Sequence, residues 1–175
     1  MKLGYLARGL PGHPVHPPLT YVVIGTWTFA LSAAILDVTG ANDENAARAA
    51  GLAFTVGLFA AALAGITGVI DWVRLPRGSA IWRTGLYHLI LTSVATALFA
   101  AVSIGAEGAL ADGDVPAGWF VVILVASGVL AVGGWLGANL VYIHGYRVVA
   151  AAPEPAPAPD DVAVASPTDL PPPRA

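Results

Sequence analysis

The sequence predicts an all-α integral membrane protein, a four-helix bundle with both termini in the cytoplasm. Three observations carry that reading. Charged residues make up only 11% of the 175 residues and hydrophobic residues 57%, where soluble domains carry about 25% charged. A chain so poor in charge cannot cover a water-facing surface. Four apolar stretches reach the roughly 20 residues that a helix needs to cross a bilayer. The few basic residues gather on one side of those stretches.

The first stretch runs from about Pro18 to Val38, with Pro17 and Pro18 at its start and Gly40 just past its end, the usual asymmetry of helix start and stop. Lys2 and Arg8 precede it as they would a signal peptide. Its apolar core exceeds the roughly 7–15 residues of such a peptide, so it reads as an uncleaved first span. The second runs from about Ala46 to Val73, with Asn42 or Asp43 as N-cap and Pro76 beyond its end. The third runs from about Ala80 to Ile104 behind Ser79 as N-cap, and the fourth from about Val115 to Tyr146 behind Asp114, with Pro116 in its first turn. Helices apolar on every face are deeply buried or in lipid, and four of them here leave nothing polar to bury them. Residues 1–149 are thus a four-span domain. Residues 150–175 are a Pro/Ala-rich tail, with eight prolines in the last 25 positions, too poor in apolar residues to pack a core and read as disordered.

Orientation follows from charge. With four spans the termini share a side, and near the spans that side carries Lys2, Arg8, Arg74, Arg77, Arg83 and Arg147. The other side has Arg48 alone, among Asp37, Asp43, Glu44, Glu107, Asp112 and Asp114. The positive-inside rule puts the basic side in the cytoplasm. A net charge of −3 gives no reason to expect nucleic-acid binding. The absence of cysteine excludes disulfides, thiolate-held clusters and covalently attached haem. Any metal or cofactor must be held by histidine, carboxylate or neutral oxygen.

In lipid, helices associate by close packing, so small residues should mark the seams. Expected seams are Tyr21, Gly25, Thr28 and Ser32 in the first span; Gly57, Ala61, Ala64, Gly68 and Asp71 in the second; His88, Thr92, Ala95 and Phe99 in the third; and Gly133, Gly137 and His144 in the fourth.

The topology also collects the titratable groups. His13 and His16 precede span one, Asp71 closes span two, His88 opens span three and His144 closes span four, all at the basic end. His88 lies five residues inside Arg83, and Asp71 and His144 three inside Arg74 and Arg147, roughly 5–8 Å below the basic layer. Ionisable groups within spans mark function, and a shared His/Asp site is the expectation. Each residue alone also has the plain reading of an interfacial or capping group. In Gly12-His13-Pro14-Val15-His16-Pro17-Pro18 a proline after each histidine favours extended backbone.

The segments GHPVHPPLTYVVIGTW, GITGVIDW, RTGLYHLIL and WLGANLVYIHG together resemble a bacterial membrane family called domain of unknown function 2231. The resemblance covers roughly residues 10–149. It implies a four-helix membrane domain and carries His13, His16, Asp71, His88 and His144 as the matching motif residues. Relatives joined to Rieske or cytochrome modules hint at electron transfer.

Three functional readings follow. In the first the protein is an inner-membrane redox module holding haem b: His88 and His144, at matching depth, are the axial ligands, Asp71 orients one of them, and His13 and His16 serve the propionates or a second iron. A redox partner protein is then implied. In the second the same four histidines with Asp71 hold Zn, Cu or Fe without a porphyrin. In the third there is no cofactor, and the polar residues knit together a structural or accessory subunit. A transporter is disfavoured because no ionisable residue lies near mid-bilayer. A serine hydrolase is disfavoured because no serine sits in a strained elbow motif.

Overall fold

The computed structural model describes residues 9–10, 13–41 and 45–148. A two-residue antiparallel bridge opens the chain, β1 (Gly9–Leu10) on β2 (His13–Pro14). Four long helices follow: α1 (His16–Val38), α2 (Asn45–Trp72), α3 (Ala80–Gly105) and α5 (Ala117–Tyr142), with a short α4 (Glu107–Asp112) between the last two. All four long helices are apolar and long enough to cross a membrane. The caps Asn42 and Asp43 and the whole tail 150–175 lie outside the described residues.

Local chemistry sets the boundaries. Pro17 and Pro18 stand in the first turn of α1, where their missing N–H groups have no helical partner in any case. Gly40, just past α1, takes φ +67°, which allows its N–H to reach Asp37 O at 2.9 Å. Ser79 caps α3 as expected, accepting from Trp82 N–H. Asp114 does not cap α5: the flanking residue is Pro116, without a side-chain bond. The Asp37 carboxylate at the end of α1 instead accepts the Val115 N–H at 2.9 Å. His13 is extended, as proline after it requires, whereas His16 opens α1 in helical conformation.

The helices run up, down, up and down. α1 packs most closely on α2, and α3 on α5; α2–α3 and α1–α5 touch more lightly. The bundle is therefore two helical hairpins side by side, with α1 and α3 on a diagonal. Between them Trp27, Phe54, Phe99 and Ile123 are fully buried. Trp27 and Phe99 meet at 4.3 Å between centroids and Phe54 and Phe99 at 5.6 Å. Large apolar side chains on every long helix, Phe29, Phe59, Ile90 and Leu124 among them, face outward, as a lipid-facing surface requires. Hydroxyls on these helices are met from within: Thr26, Ser32, Thr55, Thr92 and Ser127 each donate to a carbonyl one turn earlier.

Three of the four expected seams are inside. The first is not. Tyr21, Gly25, Thr28 and Ser32 face outward, and the buried face of α1 is Val23, Trp27, Ala30, Ala33 and Ala34. A large side chain takes the interior because α2 makes room for it. A Cβ on Gly57 would stand 2.1 Å from Trp27 Nε1, so only glycine there admits the indole.

Candidate functional site

At the end that carries Arg74, Arg77, Arg83 and Arg147, the diagonal helices α1 and α3 each carry a histidine that bonds across the bundle, His16 at the first residue of α1 and His88 two turns into α3. His16 donates Nδ1–H to Ala64 O of α2 at 2.9 Å, with Thr67 Oγ1 at 3.3 Å. His88 donates Nδ1–H to Gly133 O of α5 at 2.8 Å. The acceptors are carbonyls, so Nδ1 must carry the proton in both rings. In the neutral ring that leaves Nε2 with a bare lone pair, the form in which histidine binds metals. The two rings are neighbours, 6.4 Å between centroids, and stand edge-on with planes at 87°.

Glycines make this geometry accessible. A Cβ at Gly68 would stand 2.8 Å from His16 Cε1, and a Cβ at Gly137 would stand 2.9 Å from His88 Cε1. Each imidazole therefore lies directly on the backbone of the helix that also supplies its carbonyl.

The other expected site residues are placed differently. His144 lies beyond the end of α5, about one turn further out than the length of its apolar run implied. Thr84 directs its hydroxyl to Ala80 O, and its oxygen lies 3.2 Å from His144 Nε2. The depth match between His88 and His144 does not make them a facing pair, because α5 stops at Tyr142 and His144 sits opposite Thr84, one turn before His88. Asp71 is buried and takes a two-pronged bond from Arg147 Nη1, at 3.0 and 3.2 Å. Arg147 reaches it from a turn in which Gly145 and Arg147 both have positive φ, 61° and 58°. Arg74, the nearer arginine in sequence, bonds Ile70 O instead. His13 is exposed on β2. Among the described residues no group of three or more His, Asp or Glu side chains is placed to hold one metal ion. Of the five expected site residues, the structure places the rings of His16 and His88 beside each other.

Sequence reasoning missed the acceptors Ala64 O and Gly133 O, since backbone carbonyls leave no residue signature. The glycines beside them were visible, Gly68 as a packing residue and Gly137 as packing or as room for a porphyrin, but neither as the seat of an imidazole.

No curated protein and no solved structure matches the chain. The family described as predicted membrane protein (DUF2231) matches residues 12–150, a span that takes in all four long helices, both histidines of the pair and the carbonyls they bond. The chain belongs to this family of membrane proteins.

Proposed function

We propose that the protein is a multi-pass bacterial inner-membrane module in which His16 and His88 hold one metal centre as opposed imidazole ligands, and that this centre transfers electrons as a b-type haem iron. The carrying observation is the pair itself: two imidazoles, each with Nδ1–H held by a carbonyl, 6.4 Å apart on the bundle axis. Two imidazoles on opposite sides of a metal, at about 2.0–2.1 Å each, have centroids about 6–6.5 Å apart. Bundle cofactor sites are built from side chains on facing helices in this manner. The carbonyl bonds supply the outer contacts that fix ligand orientation.

His16 and His88, as two neutral imidazoles, are a donor set that would hold haem b, and the iron so held would supply electron transfer. The protein's own residues would hold the ligands, exclude water with the apolar bundle, and keep the ring protons on Nδ1. The space beside the pair favours a second reading. A half-open groove of about 390 Å³ lies deeper, between α1 and α5 along Ile24, Trp27 and Leu31. A porphyrin at the pair needs the two hairpins to part at the basic end. A bare Cu, Fe or Zn ion between the rings needs no such movement, and imidazole suits all three. Both readings share one chemistry, a metal bound by two neutral imidazoles. Electron transfer further implies a redox partner protein at the membrane face.

The test is purification in mild detergent after expression replete in haem and metals, with a visible spectrum and metal analysis on one sample. Haem gives a Soret band; a bare ion gives stoichiometric metal without one. Either is lost in His16→Ala and in His88→Ala and kept in His144→Ala. Protein with neither haem nor metal overturns the proposal, as does loss in His144→Ala alone.

A further inference from the structure

We infer that the four spans are two copies of one helical hairpin, related by a two-fold axis along the bundle, and that His16 and His88 are the same residue of each copy meeting on that axis. The inference does not require a bound metal. It rests on correspondences that run the length of the bundle.

Adding 72 to a position in α1 gives its counterpart in α3. His16 maps to His88, Leu19 to Leu91 and Thr20 to Thr92. Of the five buried residues of α1, Val23, Trp27, Ala30 and Ala34 map to the buried Ala95, Phe99, Val102 and Ala106, and Ala33 alone maps to an exposed position, Gly105. Adding 69 to a position in α2 does the same for α5. Val115, Ile123, Ala126 and Gly133 are buried, and so are their counterparts Ala46, Phe54, Gly57 and Ala64, while the further buried residues of α2, Ala47, Ala50, Ala53, Ala60, Thr67 and Asp71, map to half-buried positions. Gly65 and Gly68 map to Gly134 and Gly137. The difference of three residues falls in the link between the helices of each hairpin.

The contacts obey the same mapping. His16 bonds Ala64 O at 2.9 Å, and His88 bonds Gly133 O, its image, at 2.8 Å. The Cβ positions at Gly68 and Gly137 meet the same three ring atoms in the same order, Cε1, Nδ1 and Nε2. Chance would not reproduce donor, acceptor and cradle together. Both hairpins start at the same end, so the axis runs along the bundle, as in parallel membrane repeats.

One layer shows how the copies diverged. In the first, the Trp27 indole lies over Gly57, where a Cβ would stand 2.1 Å away. In the second, the smaller Phe99 replaces tryptophan and Ala126 replaces glycine. The pairs Trp/Gly and Phe/Ala are alternative fillings of one place.

The test rotates that layer by half a turn in the full chain. Trp27→Phe, Phe54→Ile and Gly57→Ala form one half; Phe99→Trp, Ile123→Phe and Ala126→Gly form the other. Together they conserve total volume and rebuild the same layer about the axis. Each half alone lowers the melting temperature by about 10 °C or more through cavities or crowding. The six-fold variant recovers to within about 5 °C of the parent. A six-fold variant that melts no higher than the worse half overturns the inference. If no half folds, the smaller exchange decides. Gly57→Ala alone is severely destabilising, and Trp27→Phe restores it by recreating the Phe99/Ala126 filling. Equal damage from Gly57→Ala with tryptophan or phenylalanine at 27 overturns the inference as well. Because the readout is stability, a failure here is distinct from a failure to find metal at the histidines.

Discussion

The glycine cradles give the sharpest prediction. Gly68→Ala places a methyl 2.8 Å from His16 Cε1, and Gly137→Ala places one 2.9 Å from His88 Cε1. Ordinary carbon contacts need about 3.5–4.0 Å, so each ring must withdraw by roughly 0.7 Å or more. The Nδ1–H bonds to Ala64 O and Gly133 O start at 2.9 and 2.8 Å, and a withdrawal of that size takes them to the edge of hydrogen bonding. A lost bond costs about 0.5–1.5 kcal/mol and crowding in a packed interior about 1–3 kcal/mol. Each variant should therefore lose about 2–4 kcal/mol. On the scale of soluble proteins of this length that is a fall of about 5–15 °C in melting temperature. The controls are one turn away. Gly65 and Gly134 have nothing within 4 Å of an added Cβ. Gly65→Ala and Gly134→Ala should be neutral or gain up to about 1 kcal/mol from helix propensity. Thermal unfolding in detergent, followed by circular dichroism, compares all four. Equal melting of the 65 and 68 variants, or of the 134 and 137 variants, refutes the account of the imidazoles as seated on the backbone.

Further outcomes follow from the same structure. Arg147→Ala should destabilise by about 2–4 kcal/mol by removing the guanidinium from the buried Asp71 carboxylate, and adding Asp71→Asn should recover part of that, as a double-mutant cycle in detergent measures. Ser103 Oγ is buried without a hydrogen-bond partner, so Ser103→Ala should be neutral or stabilising by about 1 kcal/mol in the same melts. Asp37→Ala should lower stability by about 1–2 kcal/mol through the Val115 N–H it accepts. A reporter active only in the cytoplasm, fused after Ala175, should be active if the positive-inside assignment is right, and inactivity inverts the orientation.

Much of the fold was legible because lipid allows few solutions. Low charge, four long apolar runs and the proline, serine and glycine punctuation identify the helices to within a few residues. The small-residue seams of α2, α3 and α5 were legible because close approach leaves a residue signature. The α1 seam was misread for the same reason. Gly25, Thr28 and Ser32 look like a seam, but the interior position is Trp27, and what permits it is a glycine on another helix. The site was legible as an address and not as a pairing. Depth along the chain put the histidines at one end, but only the diagonal placement of α1 and α3 decides that His88 lies beside His16. The α4 helix was not foreseen, being a single amphiphilic turn and a half between two spans.

The pairing of Arg147 with Asp71 bears on how the chain is built in the cell. The two residues are 76 positions apart, so the ribosome, at about 5–20 residues per second, needs roughly 4–15 s to supply the arginine after the aspartate. During that interval the first hairpin holds its carboxylate near the bilayer surface without the guanidinium that later meets it. The Asp71–Arg147 bond is therefore among the last contacts between the two hairpins that synthesis can supply, after the Trp27–Phe99 and His16–His88 contacts have their residues in the membrane.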